Sequence, residues 1–215
     1  VRRVGIIGGM GPEATVALMA RVIAAVPARD DADHVPLIVD QNPQVPSRIA
    51  YLIEGRGADP GPVLVRMARG LEAAGAEAVA MPCNTAHRWA GEIAGALGVP
   101  FLDMVEATLA RVPGRVGVLA SPAVRIAGVY AARREGVVHH GDEAALLALI
   151  RAVKRAGATV AARAEFARLC AGLGTEQVIV ACTEFSLLCG AAPEGVTVVD
   201  SLDVLVDEIV GFARG

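Results

Sequence analysis

Residues 78–85 read AVAMPCNT, and residues 177–183 read QVIVACT. Each is a short apolar run that ends on a cysteine and then a threonine, directly or after one asparagine. Short aliphatic runs bounded by turn signals read as fully buried strands. Cys83 and Cys182 therefore each stand where a strand ends. A second pair of stretches echoes in the same way. RVGIIG at residues 3–8 returns as RVGVLA at residues 115–120, a displacement of 112 residues, while the two cysteines are 99 apart. Two echoes at similar displacements predict an internal duplication, the second copy shorter by 13 residues between these landmarks.

Working outward, Arg3–Ile7 is a strand that runs into glycines. Pro12 to Val26 reads as a helix, with proline suited to its first turn. Val35–Val39 is a second strand. Gly61 to Ala74 has helical periodicity and stops at Gly75, a natural cap. Residues 86–97 are helical, and residues 98–102 are strand-like. A final helix, Leu202–Ala213, is expected to pack back on the first lobe. Repeated βα units of this kind predict an α/β fold with parallel sheets covered on both faces. The expectation is two pseudo-symmetric lobes, residues 1–97 with 202–215 and residues 98–201. The active site would lie in the cleft between them, at the carboxyl ends of the strands.

Composition narrows the function. Hydrophobic residues make up 54% of the 215, enough for a sizeable core. Twenty Lys and Arg against 23 Asp and Glu give a net charge of −3, and aromatics are only 3%. A mildly acidic, aromatic-poor chain is not built to bind nucleic acid. No apolar stretch approaches the ~20 residues that cross a bilayer, so no membrane partner is expected. The opening VRRVGIIGGMG reads as strand and turn rather than a signal peptide, and a cytoplasmic protein is expected. The four cysteines form no CxxC pair and have no histidine at zinc-finger spacing, so neither a metal nor a disulfide framework is predicted. Cys170 and Cys189 read as small buried hydrophobes.

Paired strand-end thiols suggest acid–base chemistry. A helix starting just after each cysteine would aim N–H groups at its sulfur and favour the thiolate. Two thiols facing one carbon acid from opposite sides could remove a proton on one face and deliver one on the other, inverting a stereocentre without a cofactor. The plainer reading is two buried core cysteines. A rival class is an oxidoreductase. Gly9-Met-Gly11-Pro-Glu-Ala14 fits GxGxxA after a strand, and Asp40 stands where a ribose-binding acid would. Against it, Pro12 has no N–H to offer a pyrophosphate. A third class is a non-catalytic small-acid binding protein on the same scaffold.

GIIGGMGPEAT near the start, NPQVPSR at 42–48, MPCNTAH at 81–87 and ACTEF at 181–185 resemble the aspartate/glutamate racemase superfamily, in particular its aspartate racemase branch of cofactor-independent amino-acid racemases. Glu184 stands where the glutamate branch commonly has a histidine. The resemblance implies that Cys83 and Cys182 are the catalytic acid and base. It implies that Asn84, Thr85 and Thr183 bind substrate beside the thiols, and that Met10 and Ser121 line the pocket. Arg48 and Lys154 would meet the two carboxylates of aspartate, or secondarily of glutamate, and no cofactor would be needed. It also implies a homodimer. A one-thiol relative, such as a decarboxylase or a cis–trans isomerase, would not need both cysteines. Val124 stands where a carboxylate-binding threonine is usual. Glu184 could cap the helix after Cys182 or tune that thiol. His87 could raise the Cys83 thiolate fraction or be satisfied by a backbone group, and His139-His140 read as a solvated loop.

Overall fold

The computed structural model describes residues 1–215. The chain divides into two compact units, residues 1–107 with 203–215 and residues 108–202. The first unit holds β1 (Val4–Gly8), α1 (Pro12–Ala25), β2 (Leu37–Gln41), α2 (Arg48–Leu52), α3 (Gly61–Ala73), β3 (Ala78–Ala80), α4 (Ala90–Gly95) and β4 (Phe101–Leu102). The chain leaves it within α5 (Met104–Arg111). The second unit holds β5 (Val116–Ala120), α6 (Pro122–Ile126), β6 (Val137–His139), α7 (Glu143–Ala156), α8 (Val160–Gly172), β7 (Gln177–Ala181), α9 (Thr183–Ser186) and β8 (Thr197–Asp200). The chain returns to the first unit near the start of α10 (Ser201–Arg214).

Each unit has a four-stranded parallel sheet, and the strand order is the same in both: β2-β1-β3-β4 and β6-β5-β7-β8. Cys83 and Cys182 follow the third strand of their own sheet. The echoed glycines have one job in both units. A Cβ on Gly5 would stand 2.9 Å from the Leu71 Cβ of α3. One on Gly117 would stand 2.7 Å from Leu173 Cδ1, at the end of α8. In both cases glycine admits the helix that precedes the cysteine-bearing strand. That helix then buries its apolar stripe: Leu64, Met67 and Leu71 against Ile7, Val79 and Met81 in the first unit, and Phe166 and Leu169 against Leu119, Val178 and Val180 in the second. A buried Leu or Phe side chain contributes about 1.5–3 kcal/mol, so these stripes fix where the cysteine strands lie.

Several elements differ from the sequence reading: β4 is only Phe101–Leu102 and β8 was not foreseen. β2 begins at Leu37 rather than Val35, because Pro36 accepts a bond from the Val4 N–H but has none to donate. The helix expected over 86–97 is a 3₁₀ turn, Thr85–Trp89, followed by the short α4. His139 is not in a loop. It ends β6, where it pairs with Val118 of β5.

Candidate active site

The first cysteine is positioned by a chain of contacts that starts at the β1–α1 turn. Gly9 has φ 93°, and a Cβ there would lie 2.4 Å from the Asn42 carbonyl carbon. Only glycine fits that approach. The segment after β2 is thereby drawn onto the turn, with the Asn42 N–H on the Gly8 carbonyl at 3.3 Å and the Gln44 N–H on Asn42 Oδ1 at 2.9 Å. It leads to Ser47, whose hydroxyl caps α2 through the Ala50 N–H, and to Arg48. The Arg48 guanidinium donates to the Val45 and Pro46 carbonyls at 3.4 and 3.2 Å, and its charge lies close enough to Cys83 to lower that thiol. Burial pushes the Cys83 thiol up. The Arg48 charge and the N–H groups of Ala86 and Thr85 pull it partway back.

His87 is satisfied by backbone. Its Nδ1 is 2.9 Å from the Cys83 carbonyl, which only accepts, so Nδ1 carries the hydrogen. Its Nε2 lies 3.6 Å from Asp103 Oδ1, which also accepts the Val105 and Glu106 N–H groups at the start of α5. The histidine thus holds the Cys83 backbone in place and directs no nitrogen at the sulfur.

The second cysteine has a different neighbour. Cys182 is the N-cap of α9, where the Glu184 and Phe185 N–H groups pull its thiol down in part. Its thiol donates to Glu184 Oε2 at 2.9 Å. The Thr183 hydroxyl is 3.4 Å from the same oxygen. The other carboxylate oxygen, Oε1, is 3.2 Å from Lys154 Nζ on α7. Burial and then the Glu184 charge push the Cys182 thiol well above its usual range. Burial alone would raise the Glu184 carboxyl. The Cys182 thiol, a backbone N–H and Lys154 outweigh it and hold that carboxyl low.

The structure therefore brings Cys83, Arg48 and Thr85 together in one unit, and Cys182, Thr183 and Lys154 in the other. Met10 is buried among the core residues near Cys83, and Asn84 precedes the 3₁₀ turn. Ser121 caps α6 without a side-chain bond and lines a small hollow with Arg125, His139 and His140. Val124 is 1% exposed, so its methyl groups are core packing. Glu184, directly after Cys-Thr, is the neighbour of Cys182 whose part the sequence left open. No group of three or more His, Cys, Asp and Glu side chains is arranged to hold a metal ion. The GxGxxA reading with Asp40 is not supported. The Gly9 N–H is already given to the Thr15 hydroxyl at 3.0 Å, and Pro12 has none to offer a pyrophosphate.

Comparison with known proteins agrees with this geometry. Residues 7–209 match the Asp/Glu/hydantoin racemase family. The chain is 34% identical over 116 residues to the broad specificity amino-acid racemase RacX of Bacillus subtilis (strain 168). That alignment spans 51% of this chain and 49% of RacX, about half of each. The aspartate racemase of Picrophilus torridus superposes with a TM-score of 0.82 at 28% identity, covering 99% of this chain and 94% of that one. An aspartate racemase homologue from Pyrococcus horikoshii OT3 has a TM-score of 0.81 at 24% identity, with all of both chains covered, which speaks for the fold. Strand order, paired strand-end thiols and these likenesses lead to one conclusion: the chain belongs to the Asp/Glu/hydantoin racemase family.

Proposed function

We propose that this protein is a cofactor-independent amino-acid racemase that inverts Cα of an acidic substrate, aspartate first and glutamate second. Cys83 and Cys182 are its two acid–base groups. The observation that carries the reading is the matched placement of the two thiols. Each follows the third strand of a like-ordered sheet, and at each two backbone N–H groups of the next turn pull the thiol down against its burial.

The chemistry follows from the side chains. A free amino acid holds its α-proton tightly, so the carbanion must be stabilised as it forms. One thiolate takes the proton on one face of Cα and becomes a thiol. The other thiol gives its proton to the opposite face and becomes a thiolate. Positioned acid–base groups contribute about 10²- to 10⁴-fold each, and the rest comes from cations and N–H donors fixed against the carboxylates. Arg48 and Lys154 supply two such cations, which suits a dicarboxylic amino acid, and Asn84, Thr85, Thr183, Ser121 and Met10 line the substrate. The family likeness also supports a homodimer acting in the cytoplasm. No helix is long and apolar enough to cross a membrane.

Chiral chromatography of single enantiomers incubated with the protein tests the reading. Aspartate is expected to racemise fastest, with alanine and homoserine on the order of 10²-fold slower, since each leaves one cation without its carboxylate. A preference for alanine or homoserine would overturn the acidic-substrate assignment. No racemisation of any amino acid would overturn the activity.

A further inference from the structure

Nineteen of the chain's 20 cationic side chains are arginine, and the single lysine is Lys154. It stands beside Glu184, and Glu184 uses both carboxylate oxygens: Oε2 accepts the Cys182 thiol at 2.9 Å and Oε1 faces the Lys154 ammonium at 3.2 Å. A thiolate at Cys182 would put two negative atoms at hydrogen-bond distance, whereas a thiol makes a bond. Cys182 packs against an apolar cluster that includes Phe166, Phe185 and Leu188. Asp200 of β8 accepts from the Ser186 hydroxyl on α9 at 2.9 Å and adds no cation. Around Cys83 the signs are reversed. The group at the sulfur is the Arg48 guanidinium, and the Asp103 carboxylate is turned toward His87.

We propose that Glu184 is a positioning residue that holds the reaction's proton on Cys182, so that Cys83, beside the Arg48 guanidinium, is the first of the two thiols to ionise. The inference rests on the two-thiol racemase reading and assigns the parts within it. Lys154 offsets the Glu184 charge from an exposed position on α7, its side chain 62% accessible. A lysine suits this place because its point charge can serve Glu184 and a substrate carboxylate together, where an arginine fork would engage one carboxylate bidentately. Once Cys83 has ionised, only the enantiomer whose α-proton faces Cys83 meets a base. Turnover moves one proton from Cα to Cys83 and one from Cys182 to Cα. The resting form returns when the opposite enantiomer is processed or when protons exchange with solvent.

The test is a thiolate titration followed by ultraviolet absorbance in wild type, Cys83→Ser, Cys182→Ser and Glu184→Gln, with folding checked by circular dichroism. The earlier thiolate step is expected to vanish in Cys83→Ser and the later one in Cys182→Ser. Glu184→Gln keeps the shape and removes the charge. It should move the later step down by about one pH unit or more and leave the earlier one in place. Lys154→Met, on an exposed face that does not threaten folding, should move the later step up. Reversed assignment of the two steps overturns the proposal. So does a Cys182 step that fails to fall in Glu184→Gln, or one that fails to rise in Lys154→Met. Racemisation with a reversed order would remove this assignment alone, whereas the expected order in a protein without racemase activity would remove the function and leave the proton assignment standing.

Discussion

Each of the two units places a cysteine after the third strand of a like-ordered sheet, and the charged groups beside the two have opposite signs. In the first, the sulfur faces the Arg48 guanidinium. In the second, it donates to the Glu184 carboxylate at 2.9 Å. Their turns differ as well. The first unit follows β1 with Gly9 at φ 93°, whereas the second follows β5 with Ser121 at an ordinary φ of −63°. The framework is common to both units, and the electrostatics are individual to each. A reaction that takes a proton on one face and gives one on the other needs that combination. Like-ordered sheets carry the two sulfurs, and unequal neighbours act on their protons in opposite directions.

The strongest way to break the comparison is to remove one sulfur at a time. Cys83→Ser and Cys182→Ser should each lower aspartate racemisation by on the order of 10²- to 10⁴-fold, measured by chiral chromatography. In deuterated solvent each variant should retain α-proton exchange of one enantiomer only, and a different one in each. Exchange of the same enantiomer in both variants would mean that the two thiols do not divide the faces between them.

A smaller effect is expected from the charge beside the first thiol. Arg48→Met should lower kcat/KM for aspartate by about 10- to 10²-fold, the range of a lost hydrogen bond to a charged group. It should also move the acid limb of the pH–rate profile to higher pH, because Arg48 holds the Cys83 thiol down. A lowered rate with an unmoved limb would restrict Arg48 to substrate binding.

The smallest effect concerns stability at alkaline pH. Burial raises Cys83, Cys182 and Cys170 in the folded chain, with Cys170 pushed up from 9.0 to about 12. A group raised on folding contributes stability that is complete below its unfolded value and is lost as pH climbs toward the folded one. The urea midpoint should therefore fall as pH rises from 9.0 toward about 12, at up to about 1.4 kcal/mol per pH unit for each thiol. Cys170→Ala should flatten part of that fall without slowing racemisation, since Cys170 lies within α8 in the apolar core. An unchanged slope would assign the loss to the other two thiols.

The sequence made the strands and the cysteines legible because buried parallel strands are short aliphatic runs with sharp ends, as in Ala78–Ala80 and Gln177–Ala181. It did not reveal β6, because Val137–His139 is three residues long and ends on a histidine, too short for a period to register. It could not separate the 3₁₀ turn at Thr85–Trp89 from α-helix, since both bring every third or fourth residue to one face. The contrast between the two thiols was hidden for another reason. Arg48 reaches Cys83 because Gly9 draws the Asn42 segment inward. Lys154 reaches Glu184 because α7 packs on α9. Such meetings between distant parts of the chain are set by the fold and leave no local pattern.

The solitary lysine has a practical consequence. A reagent that seeks side-chain amines finds one target in these 215 residues, and that target stands one carboxylate away from Cys182. Isotopically enriched methyl groups added there by reductive alkylation would give a single side-chain resonance. The protein would then carry its own spectroscopic reporter, placed by nature at the charge relay and readable while substrate is added, with no residue replaced.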